Sequence, residues 1–262
     1  MAEGTDFKSE SGHWYDHEGS PQYTIVGANG KRRNTTLRDA RKENFVPSVT
    51  AILDMAAKPA LENWKINTAL LTMLSLSKDE DESDDDFLYR CRRDSRDIAH
   101  TAADRGTEIH AMIENGFAGS EDNKIYRDIK TFLDVTYPNE TWIAEDSFCS
   151  DLGYGGKIDL YSKSGIFVDF KTKDNLEGKK PSSLAFDNYG MQLSAYAQGC
   201  GFTDDAERVS IFVDRIDTDV ILMHVWEKDT HAKHRDMFNS LLTYWKLLKN
   251  YDSSFQKQID KM

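Results

Sequence analysis

Gly155-Gly156-Lys157-Ile158-Asp159-Leu160, followed after a short turn containing Gly165 by Ile166-Phe167-Val168-Asp169-Phe170-Lys171-Thr172-Lys173, reads as two apolar strands. Each carries one aspartate inside a hydrophobic run. Side chains at i and i+2 of a strand share a face, so Asp169 and Lys171 point the same way, with Phe167 in their row. Antiparallel pairing of the two strands brings Asp159 beside Asp169. Two close carboxylates repel and call for a cation, and a lysine beside them can hold an anionic group or a water. Two acids, a hard divalent metal and a lysine suit phosphodiester cleavage. The plainer alternative is a pair of strand-end acids turned to water. Ile158 and Leu160 around Asp159, and Val168 and Phe170 around Asp169, argue against it, because half-buried carboxylates need a cation or several donors.

The 262 residues suffice for one large domain, or one domain with a small appendage. Hydrophobic residues at 39%, 11% of the chain being aromatic, can fill a sizeable core. The formal net charge of -12 argues against a general nucleic-acid coating protein. It leaves room for a nuclease whose basic groups are concentrated in one channel. Cys91, Cys149 and Cys200 show no C-x-x-C spacing, which favours reduced thiols and a cytoplasmic setting. The same scatter argues against an iron–sulfur cluster or a structural zinc site. No run of about 18 apolar residues exists, so no membrane span is expected. Met1-Ala2-Glu3-Gly4-Thr5-Asp6 is polar and acidic and does not read as a targeting segment.

Residues 1–12 read as disordered. His13 to Gly27 reads as a short hairpin turning at Gly19-Ser20-Pro21, and Asn29 to Lys42 as a basic loop, either solvated or phosphate-contacting. Ser48 is the expected N-cap of a helix, and Pro59 to Ser77 a second helix with Leu61, Trp64, Ala69, Leu70 and Leu74 as its apolar positions. Asp79 to Asp86 is too densely charged to pack and reads as an exposed loop. Phe87 to Phe117 is a long helix, or two abutting ones, with Ile98, Ala102, Gly106, Ile109, Ile113 and Phe117 at helical spacing. Asn123 to Val135 is another, with Ile125, Ile129, Phe132 and Leu133 inward. Trp142 to Cys149, Tyr154 to Tyr161 and Ile166 to Thr172 form three consecutive antiparallel strands. A helix from about Phe186 to Gly199 follows, then a hairpin of Arg208 to Arg215 and Val220 to Trp226. Thr230 caps a last helix, with Met237, Leu241, Leu242, Trp245 and Leu248 on its buried stripe.

Gly106, His110 and Glu114 recur every four residues and share a helix face. A glycine there costs about 1 kcal/mol relative to alanine, which a close approach by a strand or ligand would account for. His110 alone reads as a hydrogen-bonded core residue; beside the aspartate pair it becomes a candidate third metal ligand. Glu145 has the strand position to assist, or is a surface acid. Gln192 and Tyr196 are one helical turn apart. They either form a polar helix face or act on the site, the amide orienting Lys171 or a phosphate and the phenol contacting a sugar or base. His13, His17, His231 and His234 read as surface residues.

Taken in order, helical Gly106-Thr107-x-x-His110, Gly156-x-x-Asp159, an apolar pair before Asp169-x-Lys171, and Gln192-x-x-x-Tyr196 resemble the RecB-type branch of the PD-(D/E)XK nuclease superfamily. Pro47-Ser48-Val49-Thr50 with Trp64 also looks like the phage exonucleases and the mitochondrial genome maintenance exonuclease. The resemblance covers roughly residues 45 to 226. It implies an α/β, restriction-endonuclease-like core, with a mixed, mainly antiparallel central sheet flanked by helices and a helical N-terminal elaboration. Tail, hairpin and basic loop would occupy residues 1–44 and a single nuclease domain 45–262, helical over 45–140 and sheet-based over 141–262. It implies a metal-dependent DNA exonuclease of phage or bacterial DNA processing, recombination or repair, cytoplasmic, with phage encoding in a bacterial host as one option. His110, Asp159, Asp169 and the Phe170 carbonyl, with Glu145 as a further candidate, would bind one or two Mg²⁺ or Mn²⁺ ions. Lys171 would position or help deprotonate the attacking water. Gln192, Tyr196, Lys173, Arg32, Arg33 and Arg93 would contact DNA that is single-stranded or has a free end. The chain departs from the iron–sulfur members of the branch in lacking their cysteine cluster. The alternatives are a structure-specific endonuclease using the same centre and a catalytically silent nuclease-fold binding module.

Overall fold

In the computed structural model, which describes residues 13–254, the chain opens with strands β1 (Trp14–Tyr15), β2 (Thr24–Val26) and β3 (Arg32–Asn34). The tail expected to be disordered lies outside the described residues. Helix α1 (Leu37–Glu43), strand β4 (Val46–Pro47) and helices α2 (Val49–Leu53), α3 (Pro59–Ser75), α4 (Asp84–Phe117) and α5 (Lys124–Thr136) follow. Strands β5 (Trp142–Ser150), β6 (Tyr154–Ser162) and β7 (Ile166–Lys173) come next, then helix α6 (Asp187–Gly199), strands β8 (Glu207–Asp214) and β9 (Ile221–Val225), and helix α7 (Lys228–Lys249).

Strands β5 to β9 form one sheet in chain order, antiparallel except for the parallel step from β7 to β8. A tight turn can join antiparallel neighbours, whereas a parallel step needs a crossover, and α6 supplies it. The result is a mixed α/β fold with a mainly antiparallel central sheet flanked by helices, as expected. One apolar layer joins α6, α2 and α7 to Phe167 and Phe212 of the sheet. The other packs Ile109 and Ile113 of α4 and Ile125, Ile129 and Leu133 of α5 onto Leu160, Val168, Phe170, Val209 and Ile211. Phe167 thus faces one layer while Val168 and Phe170 face the other, the alternation a strand imposes. Among the described residues no helix is long and apolar enough to cross a membrane.

Several local expectations need correction. β1 pairs with β4, and β2 pairs with β3, so the N-terminal hairpin is displaced toward the segment expected to be a basic loop. That segment also holds α1, closed by a capping box between Thr36 and Asp39. The acidic run is only partly loop: Asp84, Asp85 and Asp86 form the first turn of α4, where Ser83 accepts from the Asp86 N–H. Carboxylates there are favoured by the unpaired N–H groups of the helix terminus. In α3 the expected apolar face is largely exposed, Leu74 by 78%. α3 packs along α4, whose N-terminal half itself buries little beyond Cys91, so the pair leaves most of its apolar side chains uncovered. Ile98, Phe132 and Leu248 are likewise exposed. Helix α7 starts at Lys228 with Glu227 as its cap residue, and the Thr230 hydroxyl instead donates to the Glu227 carbonyl at 2.7 Å. His231 and His234 are buried rather than on the surface. His231 Nδ1 lies 2.7 Å from the Asp204 carbonyl, and His234 Nε2 lies 3.0 Å from Asp187.

The N-terminal strands meet the sheet at Gly155, where a Cβ would lie 2.8 Å from the Phe148 carbonyl oxygen and 2.9 Å from Tyr15 Cβ. One obstacle is backbone and cannot rotate away. Gly155→Ala should therefore lower the stability by about 1–3 kcal/mol, measured by urea unfolding. A midpoint equal to that of the parent protein would show that this contact is soft.

Candidate active site

The ladder between β6 and β7 pairs Tyr161 with Phe167 and Leu160 with Val168, and stops there. The next step along the register is Asp159 against Asp169. Beyond it, the Phe170 N–H that would have paired with β6 backbone instead donates to Asp159 Oδ2 at 2.9 Å. The strands part at the two acids, and the Asp159 side chain closes the gap.

A second irregularity lies on the other side of Asp159. β5 and β6 pair at Ala144–Leu160 and at Asp146–Ile158, but not at the intervening Glu145–Asp159 step. Glu145 has φ 56°, a left-handed backbone uncommon for a residue other than glycine, asparagine or aspartate. Across this step both strands exchange faces. Ala144 and Leu160 belong to the α4–α5 layer, whereas Phe148 and Ile158 belong to the α6 layer. Simple alternation therefore fails in β6 at the aspartate itself.

Asp169 is 0% exposed. Its Oδ1 accepts a 2.7 Å hydrogen bond from Lys171 Nζ. Its Oδ2 is 2.6 Å from the same nitrogen, an ion pair without hydrogen-bond geometry. Lys171 also donates to Gln192 Oε1 at 3.3 Å, and Gln192 Nε2 donates to the Tyr196 hydroxyl at 2.8 Å. Gln192 and Tyr196, from the buried face of α6, thus form a relay behind the lysine. Tyr196 is only 3% exposed, so without substrate its hydroxyl is engaged by Gln192 rather than by solvent. His110, from α4, places Nδ1 3.9 Å from Asp159 Oδ2 and sets its ring edge-to-face with Phe170 at 6.3 Å. The Phe170 carbonyl also meets the imidazole.

Burial governs the electrostatics. It pushes the Asp169 carboxyl up to about 6, against the pull of Lys171 and with a further push from Asp159. Asp159 is raised for the same first reason, with Lys171 and the Phe170 N–H opposing. For Lys171 burial acts downward, but the charges of Asp169 and Asp159 outweigh it and the ammonium is held above its ordinary value. Burial, then Lys171, lowers His110, which favours a neutral imidazole with a lone pair to offer. Among the described residues no three His, Cys, Asp or Glu side chains are gathered with metal-ligand spacing. The Lys171 ammonium, lying against Asp169, supplies the positive charge there.

The glycines of the sequence motifs are explained by close approach. A Cβ at Gly106 would lie 2.8 Å from Thr172 Oγ1 of β7, and one at Gly156 would lie 3.0 Å from a ring carbon of Tyr196. The first brings α4, with His110, onto β7; the second lets α6 approach β6. The expected DNA contacts are less uniform. Glu145 is ion-paired with Lys157, Arg33 with Asp39 and Arg93 with Asp94, and Arg32 is exposed on β3. Lys173 Nζ lies 5.4 Å over the Tyr189 ring and 5.7 Å over Phe186. Tyr189 was missed from sequence: its ring lies 5.1 Å from Lys171 Nζ, so it lines both lysines. The available signal was its place three residues before Gln192 on the same helix.

Replacing the ammonium by Lys171→Met should move the Asp169 carboxyl still higher than about 6, read by carboxyl ¹³C NMR, because Lys171 is what holds it down. A folded pKa raised above the unfolded one contributes stability that is present below the unfolded value and lost as pH rises through the folded value. The variant should therefore lose stability relative to the parent protein as pH rises past 6. An Asp169 titration unchanged by the substitution would contradict this coupling.

No protein-family model and no curated protein sequence matches the chain. Among solved structures, it is similar to an alkaline exonuclease (LHK-Exo) from Laribacter hongkongensis at 10% identity and a TM-score of 0.38, over 82% of this chain and 93% of that one. It is similar to the protein SSO0001 at 14% identity and a TM-score of 0.31, over 69% of this chain and 85% of that one.

Proposed function

We propose that this protein is a metal-dependent nuclease, and specifically a DNA exonuclease of phage or bacterial DNA processing. The observation that carries the reading is the Asp159–Asp169 pair at the parting of β6 and β7, Asp159 half-buried and Asp169 fully buried, with Asp169 Oδ2 free of any hydrogen bond. Such an oxygen has a lone pair suited to a cation. One imidazole, two carboxylates and a backbone carbonyl are donor types that Mg²⁺ or Mn²⁺ takes, and the side chains would have to draw together around the ion, since they are not gathered at ligand spacing without it. His110, Asp159, Asp169 and the Phe170 carbonyl would hold the ion. When bound, a divalent cation would polarise the scissile phosphate, lower the pKa of a water and offset charge on the leaving oxygen.

The chain's own residues supply the rest. Lys171 lies against Asp169 and would share that carboxylate with a bound cation. Gln192, backed by Tyr196, holds the ammonium beside Asp169. From there it can position the attacking water and stabilise negative charge that builds up on the phosphoryl oxygens. Metal binding needs His110 unprotonated, which its lowered value favours, and both Asp159 and Asp169 ionised, which burial opposes. Activity should therefore fall as pH drops through about 6, the value to which burial brings Asp169.

The test is digestion of end-labelled and circular DNA, each single- and double-stranded, with Mg²⁺, Mn²⁺ or chelator. Loss of label from linear strands, survival of circles and no reaction in chelator are expected. Circles cut as readily as linear DNA would replace the exonuclease by an endonuclease, and full activity in chelator would overturn the mechanism. Lys171→Ala should lower kcat by about 10²-fold or more with a smaller change in KM, since its contribution falls in the transition state. Turnover equal to that of the parent protein would make Lys171 a merely structural ion-pair partner.

A further inference from the structure

Glu145 and Lys157 have no part in the chemistry above, yet both sit at its edge. Lys157 lies two residues before Asp159 in β6, and Glu145 lies opposite Asp159 in β5. They form an ion pair with each other. The Lys157 side chain is 39% exposed against 21% for Lys171, so Lys157 is the outer of the two lysines whose charge reaches Asp159. The backbone at Glu145 is left-handed, a conformation that costs a residue with a Cβ about 1–2 kcal/mol. A strand without the face exchange would leave Glu145 in line with Asp159 and Asp169, three carboxylates on adjacent strands. With the exchange, Glu145 meets Lys157 instead.

We propose that Lys157 is a second phosphate-binding group of this site, and that Glu145 masks it until a polyanionic strand arrives. The inference rests on the nuclease reading and deepens it: the substrate must present a second phosphate beside the one at the acid pair. A phosphodiester chain satisfies this and an isolated phosphomonoester does not. The exchange needs no net loss of pairing. The Lys157 ammonium leaves a carboxylate at the surface for a phosphate, and Glu145, partly exposed, returns to water.

A double-mutant cycle tests this, using the full chain, a labelled single-stranded oligonucleotide and Ca²⁺ in place of Mg²⁺ so that cleavage is suppressed. Lys157→Ala should weaken binding roughly three- to tenfold and reduce the log–log salt slope by about 0.7, the share of one phosphate contact on a single strand. Lys157→Arg should retain binding. Glu145→Gln should tighten binding by a similar factor in the parent protein and leave it unchanged in the Lys157→Ala background. Tightening of equal size in both backgrounds would mean that Glu145 acts by general repulsion, and the mask would be wrong. An unchanged salt slope in Lys157→Ala would remove Lys157 from the DNA path. In cleavage with Mg²⁺, Lys157→Ala should raise KM by a larger factor than it lowers kcat. Because the cycle is read without turnover, an inactive parent protein would overturn the nuclease reading separately. An additive cycle in an active parent protein would overturn only the mask.

Discussion

Two neighbouring carboxylates, Asp169 fully buried and Asp159 half-buried, are the constraint on which the rest of this molecule depends. Burial raises both Asp159 and Asp169, and their mutual repulsion adds to the rise at Asp169. A fold can retain such a pair only by surrounding it with positive charge and donors. Lys171 lies against one acid, a backbone N–H freed by the parting of β6 and β7 bonds the other, and an amide and a phenol hold the lysine in turn. The crossover helix α6 carries that amide and phenol in its buried face, so the parallel step in the sheet and the arrangement of the site have one cause.

The same constraint explains where local rules give way. The face exchange at Glu145 and Asp159 breaks strand alternation at one step and places a non-glycine residue in a left-handed backbone. The close contacts at Gly106 and Gly156 place helices nearer the sheet than a Cβ would allow. These are local costs met by the surrounding core, a pattern common where a site imposes its geometry. The basic residues follow a related rule. In a chain of net charge -12, Arg33 and Arg93 are already paired with acids, and a polyanion approaching them must compete for those pairs. Lysines near the site are held over aromatic rings or carboxylates in the same way.

Much of this was legible in the sequence, for reasons that differ by element. The five main strands, the long helix α4 and the crossover helix were readable because their apolar periods are strong and Gly, Pro and Asx residues mark their ends. Asp169 and Lys171 share a face because β7 keeps strict alternation. The left-handed step at Glu145 was not legible, since nothing in Ala144-Glu145-Asp146 marks it as a turn. The exposure of α3 was also hidden: an apolar stripe states that a face seeks cover, not that cover exists. His231 and His234 read as polar and proved buried, because their partners, the Asp204 carbonyl and Asp187, come from segments distant in sequence. Tyr196 lies one turn from Gln192 as expected, and its burial behind the lysine depends on the packing of α6 against β6.

The central claim is that the aspartate pair exists to hold a divalent cation. It is tested most directly by calorimetric titration of Mn²⁺ into the parent protein and into Asp169→Asn between pH 5 and pH 8, with near-ultraviolet circular dichroism to verify that both are folded. Binding must displace any proton on Asp169, so affinity for the parent protein should rise with pH up to about 6 and level off above it. Asp169→Asn should lose at least about tenfold in affinity and the pH dependence with it. Equal Mn²⁺ binding by the two proteins, or binding by the parent that is flat across this range, would contradict the account.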